Sequence, residues 1–325
     1  MRNQPVSPMA AGPCTWLLAA ILAIAFSAAA CNNENGVDDA AASENGAAEC
    51  ADQLDNDSDG AIDCDDVECA TICAANGDTD SSTDSDTNAP SGPTFHVFLL
   101  LGQSNMEGWP KALDEDRGED ERVQVLGFDN CTRTGRKTDE WDVAAPPLHS
   151  CWNDGLGPGD YFAKTLVEVI PEGDTIGLVP CAKNGEAIET FMKDGGQYWQ
   201  WIVDRAKLAQ DAGGVIEGFI FHQGESNNMQ SDWPSKVQAF IADLKSELGL
   251  GDIPFLPGEL AQDGSCSGHN PLVHQLEGLI PNTHVVVSDG LHVDPSDEWN
   301  VHFDHASQVT FGQRYAQTMI DALGW

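Results

Sequence analysis

The sequence predicts a three-layer α/β/α domain on a five-stranded parallel sheet, preceded by a small acidic, Cys-rich module and a linker. Three observations predict it. Short apolar runs alternate with segments of helical spacing from residue 94 to residue 325, and that alternation builds βαβ units and a parallel sheet. Composition breaks near residue 93: residues 31–93 hold 17 acids, no Lys or Arg and few large apolar side chains, too little to bury a core. Residues 94–325 carry aliphatics and aromatics throughout, ample for one core.

Residues 1–30 read as a leader. Trp16 to Phe26 is almost unbroken apolar sequence, and the small residues Ser27, Ala28, Ala29 and Ala30 precede Cys31. This is the layout of a secretory signal peptide, with a run too short to span a bilayer as a helix. Small residues directly before a Cys resemble a bacterial lipobox, with Ala28 where Leu is usual. The expectation is an exported protein, either a cell-envelope lipoprotein anchored at Cys31 or a secreted one left with a thiol there. Export makes disulfides the default for the eight cysteines beyond Cys14 and Cys31. Cys131 and Cys151 flank one surface loop and are expected to pair.

Residues 31–73 form the acidic module. Asp55, Asp57, Asp59, Asp63 and Asp66 fall at positions 1, 3, 5, 9 and 12 of a calcium loop, with the Ala61 carbonyl at position 7 and Gly60 at the sharp turn. Asp66 stands where the helix–loop–helix family has Glu. A structural Ca²⁺ is expected here, against the plainer reading of a solvated acidic spacer. Residues 74–93, rich in Ser, Thr, Asp, Gly and Pro, read as a linker.

Within residues 94–325 the expected strands are 95–101, 175–181, 215–221, 253–257 and 284–288. The expected helices are 161–170, 197–212, 233–248, 272–280 and 307–323. Ligand sites of such sheets lie at the carboxyl ends of strands. Charge limits the ligand: 15 Lys and Arg face 53 Asp and Glu, a net −38. A nucleic-acid partner needs a basic footprint that is missing here. Membrane contact is expected only through a lipid anchor at Cys31.

Three strand ends carry polar clusters: Gly102-Gln103-Ser104-Asn105-Met106, then His222-Gln223-Gly224-Glu225-Ser226-Asn227, then the stretch reaching His302. Acyl transfer needs a hydroxyl, a base and donors aimed at an oxyanion. Ser104 supplies the hydroxyl and His302 the base. The Ser104 amide, an N–H at Gly185 and the Gln223 side chain are candidate oxyanion donors. Singly, a Ser at such a turn is most often a helix cap; the conjunction of three clusters is what points to catalysis. Asp297 and Glu225 are rival or joint partners for the imidazole. Trp109, Trp152, Trp199, Trp233 and Trp299 offer faces for sugar stacking, although core packing is the commoner role.

The block Gly102 to Met106 with Gly108, and the block His222 to Ser226, resemble those of the sialate O-acetylesterase and acetyl xylan esterase group of the SGNH hydrolase superfamily. Gly155-Leu156-Gly157-Pro158, the strand at Ile176 to Pro180, and His302-Phe303-Asp304 followed by Gly312 and Arg314-Tyr315-Ala316 agree with it. The resemblance covers about residues 94–325. It implies a serine esterase that removes O-acetyl groups from carbohydrate through an acetyl-enzyme, with no catalytic cofactor and with Ser104, Gly185 and Gln223 as the oxyanion hole. Two positions depart from it. Asn184-Gly185 replaces Gly-Gly, and Trp299 stands where the family places its Asp, three residues before the His. Asp289 and His292 have the family's D-x-x-H spacing, but the ten residues from His302 to Gly312 favour His302. A lipase is disfavoured, since no apolar lid segment adjoins the blocks. A non-catalytic carbohydrate-binding surface protein on the same fold is the alternative.

Overall fold

The structure is a computed structural model that describes residues 92–325. The leader, Cys31, the calcium-loop residues Asp55 to Asp66 and the linker up to residue 91 lie outside the described residues.

Strand β1 (Phe95–Gly102) is apolar from Val97 to Leu101 because helices cover both its faces. It pairs in parallel with β4 (Thr175–Ala182) on one side and β5 (Val215–His222) on the other. The sheet is completed by β2 (Val123–Leu126), β3 (Trp141–Val143) and β6 (Phe255–Pro257), in the order β3-β2-β4-β1-β5-β6. Five strands are parallel, and β3 runs antiparallel to β2 at the edge.

Alternation along β1 sorts the core into two layers. Val97, Leu99 and Leu101 face α3 (Trp199–Asp211), α4 (Trp233–Glu247) and α5 (Asn270–Leu279). Phe98 and Leu100 face α2 (Pro158–Leu166) and α6 (His305–Leu323). Helix α2 starts three residues before its expected position because Pro158 fits the first helical turn. Helix α6 is capped by the Asp304 side chain, which accepts from the Ser307 N–H at 2.8 Å. Gly312 lets α6 lie against α2: a Cβ there would meet the Pro158 carbonyl oxygen at 2.4 Å.

The sheet departs from the expected five strands at two places. Strands β2 and β3 were not expected; they span only four and three residues and mix polar with apolar side chains. The expected strand 284–288 is not one. It follows the edge of β6 through single bridges at Thr283 and Val286, since a three-residue β6 offers too little ladder. The Cys131–Cys151 disulfide is present. Cys181, expected to pair, is a fully buried thiol on β4 whose pKa burial pushes up to about 11.

Candidate active site

Register brings three chain segments to one edge of the sheet. Gly102, the last residue of β1, pairs with Ala182 of β4 and His222 of β5. Gly102 has φ of 134°, and a Cβ there would sit 2.1 Å from the His222 carbonyl oxygen, so only glycine fits. The next N–H, of Gln103, donates to that carbonyl at 2.9 Å. Ser104 therefore opens the one-turn helix α1 (Ser104–Glu107) directly over the strand end.

Ser104 Oγ lies 2.9 Å from His302 Nε2, and His302 Nδ1 lies 3.0 Å from Asp297 Oδ2. With Nδ1–H donating to the carboxylate, Nε2 is left to accept the serine proton. Asp297 Oδ2 also accepts the N–H groups of Val301 and His302, at 2.8 and 2.9 Å. Burial works to raise the Asp297 pKa, but those two N–H groups and the His302 ring outweigh it and hold the carboxyl below its ordinary value. Asp297 thus stays ionised beside the ring.

Glu225, the rival partner, is aimed elsewhere. Its Oε1 accepts from Asn105 Nδ2 at 2.6 Å and lies 3.5 Å from His222 Nδ1. Among the described residues His302 meets one carboxylate, that of Asp297. His292 is exposed and bonded to Asp263, and Asp289 is bonded to Gln262, so the D-x-x-H pair takes no part in this cluster.

Gly185 follows β4 with a left-handed φ of 73° and lines the pocket beside Ser104. The Ser104 and Gly185 N–H groups have no acceptor among the described residues. Gln223 is a correction. It is buried under the site, and its Oε1 accepts from Trp233 Nε1 at 2.5 Å, which fixes the orientation of its amide. Its Nε2 is committed to Gln103, Asn227 and the Glu186 carbonyl. Gln223 therefore props the site floor and does not line the pocket.

Two residues of the serine turn that the sequence reading left unassigned, Asn105 and Glu107, hold these parts in place. Asn105 accepts the Phe303 N–H at 3.0 Å and donates to the Val301 carbonyl and to Glu225, tying the serine turn to both neighbouring loops. Gln308 of α6 donates to the Asn105 carbonyl. Glu107, one turn after Ser104, accepts the Asn184 N–H at 2.7 Å and so fixes the turn that presents Gly185. Burial raises the Glu107 pKa, opposed by Ser150 and that N–H. The available signal was their place in a polar block that continues the apolar run Val97 to Leu101; such groups are buried and need partners.

The pocket has a volume of about 330 Å³ and includes Trp109, Trp299, Val301 and Ser226 in its lining. The Trp109 ring lies flat on His302, with centroids 3.9 Å apart and planes 10° apart. Trp199 and Trp233 belong to the core. A hydroxyl, a base with an oriented tautomer, and two N–H groups near one apolar pocket form the constellation for acyl transfer.

The sequence profile described as carbohydrate esterase, sialic acid-specific acetylesterase matches residues 94–321. The chain belongs to this family. A probable carbohydrate esterase of Arabidopsis thaliana is 26% identical over 251 residues, covering 70% of this chain and 91% of that protein. An X-ray structure of an Arabidopsis thaliana protein, also 26% identical, superposes with a TM-score of 0.60 over 70% of this chain and 99% of its own. NanS, at 16% identity, superposes with a TM-score of 0.57 over 73% of this chain and 99% of its own. A carbohydrate acetylesterase from Xanthomonas citri, at 22% identity, has a TM-score of 0.53 over 71% of this chain and 57% of its own. The latter two share the fold. The protein is thus a carboxylic ester hydrolase of the carbohydrate acetylesterase kind, built on an SGNH-type α/β domain.

Proposed function

We propose that this esterase removes acetyl groups from carbohydrate by a serine mechanism. The observation that carries the proposal is the chain of contacts from Asp297 through His302 to Ser104. Ser104 Oγ attacks the ester carbonyl carbon while its proton passes to His302 Nε2. The tetrahedral oxyanion is met by the N–H groups of Ser104 and Gly185, already oriented before charge develops. The imidazolium, held by ionised Asp297, returns its proton to the departing sugar oxygen as the C–O bond breaks. Water then attacks the acetyl-enzyme, His302 takes its proton, and acetate leaves with the Ser104 hydroxyl restored.

Export is proposed as well. It is supported by the leader-like residues 1–30 and by a disulfide between Cys131 and Cys151, which fits an oxidising compartment. A structural Ca²⁺ at Asp55 to Asp66 and a lipid anchor at Cys31 remain proposals from sequence.

The test is Ser104→Ala. Ser104 is a small residue in a polar turn at the pocket, so the fold should survive. Turnover of p-nitrophenyl acetate and of acetylated oligosaccharide should fall by at least ~10³-fold. Wild-type enzyme quenched during turnover should carry an acetyl group on the peptide containing Ser104. Near-normal turnover by the folded variant rules the mechanism out.

A further inference from the structure

We infer that the substrate of this pocket is an uncharged acetylated pyranose that stacks on Trp299, in preference to a carboxylate-bearing sugar of the sialic acid type. The inference deepens the esterase reading and rests on it. The residue three before the base is Trp299 and not an acid, because Asp297 reaches His302 from two residues earlier. Position 299 is therefore free to carry a side chain with another use.

What it carries is a large aromatic held in the open. Trp299 is 63% exposed, although it lines the pocket that contains Ser104 and His302. Its backbone is fixed at both ends: the N–H donates to Asp297 Oδ1 at 3.3 Å, and the carbonyl accepts from the Ser265 hydroxyl at 3.2 Å. Its ring meets Trp109 at 5.5 Å and 82°, and His302 at 6.0 Å and 87°. Both contacts are T-shaped, and most of the Trp299 side chain stays open to solvent at the pocket. A pyranose presents C–H groups on its faces and hydroxyls at its rim, and an aromatic plane is the surface that recognises it.

Charge decides between sugar classes. Among the described residues no Lys or Arg lines the pocket. The base nearest the oxyanion turn, Lys183, lies over the rings of Phe128 and Trp201 at 4.3 and 4.6 Å, and its ammonium is spent there. A sugar carboxylate brought into this pocket loses water and gains no cation. The net charge of −38 repels it further. A neutral sugar meets neither cost.

The test compares kcat/KM of the purified full chain for acetylated xylo-oligosaccharide and for O-acetylated N-acetylneuraminic acid, with p-nitrophenyl acetate as the reference ester. The neutral sugar should be preferred by about tenfold or more, and added salt should narrow the gap by screening repulsion. Trp299→Ala should lower kcat/KM on the xylo-oligosaccharide by about tenfold, mostly through KM and by more than on p-nitrophenyl acetate. Trp299→Phe should recover most of the loss. Equal or better turnover of the acidic sugar, or an Ala variant that slows both esters alike, overturns the inference. If wild-type enzyme hydrolyses no ester at all, the esterase reading falls first and takes this one with it.

Discussion

Asp297→Asn separates a catalytic carboxylate from a merely structural one. Asp297 Oδ2 accepts three hydrogen bonds, two from backbone N–H groups and one from His302 Nδ1. An Asn that keeps its oxygen there preserves the backbone turn and the imidazole tautomer, and sets its NH₂ against the Trp299 N–H. What it loses is charge. With charge centres about 4 Å apart and an effective dielectric of about 20, the attraction for the imidazolium is about 4 kcal/mol. That is about 10³-fold in rate. An Asn that rotates instead forces Nδ1 to accept and turns Nε2–H toward Ser104. The loss then approaches the roughly 10⁴-fold seen when the serine-protease aspartate becomes Asn. Asp297→Asn should therefore lower kcat on p-nitrophenyl acetate by about 10³- to 10⁴-fold. KM should stay near normal, since Asp297 does not line the pocket. Melting temperature and circular dichroism should show a folded protein. A folded variant that keeps kcat within about tenfold of wild type, with Glu225→Gln losing more, would refute the assignment.

Three further outcomes are expected. Glu107→Leu should lower kcat by about 10²-fold with little change in KM, because the Asn184 N–H loses its anchor and Gly185 its aim; Glu107→Gln keeps a carbonyl acceptor and should recover most of it, so an equal loss in both, or a KM effect alone, counts against the clamp. Burial opposes protonation of His96, but Glu217 at 2.8 Å and Asp174 at 3.1 Å outweigh it and raise the pKa above 6.5. Its stabilising charge is fully present below the unfolded value and is lost as pH rises through the folded one; His96→Gln should thus depress the melting temperature more at about pH 5 than at about pH 9, and the same loss at both would contradict the account. Replacing both Cys131 and Cys151 by Ser opens a loop of sequence separation 20 and should cost about 3 kcal/mol in chemical denaturation; an unchanged midpoint would show that the loop is held by other contacts.

The central sheet was readable where burial is complete. Strands β1, β4 and β5 lie between two helical layers, so each writes a long apolar run. The short strands β2 and β3 write no such run: Gln124 and Asp142 interrupt them, and both residues are only half-buried. The site shows the same division. Ser104 was legible because its block ends β1, and His302 because its block precedes a helix at fixed spacing. The direction of Gln223 was not, because it is set by Trp233 and Asn227 around the amide, ten and four residues away, and by Gln103 from another strand end. The choice between Asp297 and Glu225 was likewise a matter of turn geometry. Both lie on segments next to the imidazole, and only the path of residues 294–302 decides which one faces it.

That path accounts for both the acid at position 297 and the indole at position 299. The turn is closed by the Asp297 N–H to the Asp294 carbonyl at 2.9 Å and the Asn300 N–H to the Asp297 carbonyl at 3.0 Å, with Asn300 at a φ of 54°. Asp297 is therefore buried inside a turn whose backbone it also binds, at Val301 and His302. An acid placed three residues before the base would occupy position 299, which this turn directs outward at the pocket rim. Moving the acid to position 297 keeps the imidazole oriented and gives the rim position to an indole. If specificity and acid placement are coupled in this way, Trp299→Asp should not rescue Asp297→Asn. The new carboxylate would lie on the exposed side of the turn, and turnover of p-nitrophenyl acetate should stay as low as in the single variant. Recovery in the double variant would show that position 299 can reach His302 and that the coupling is absent.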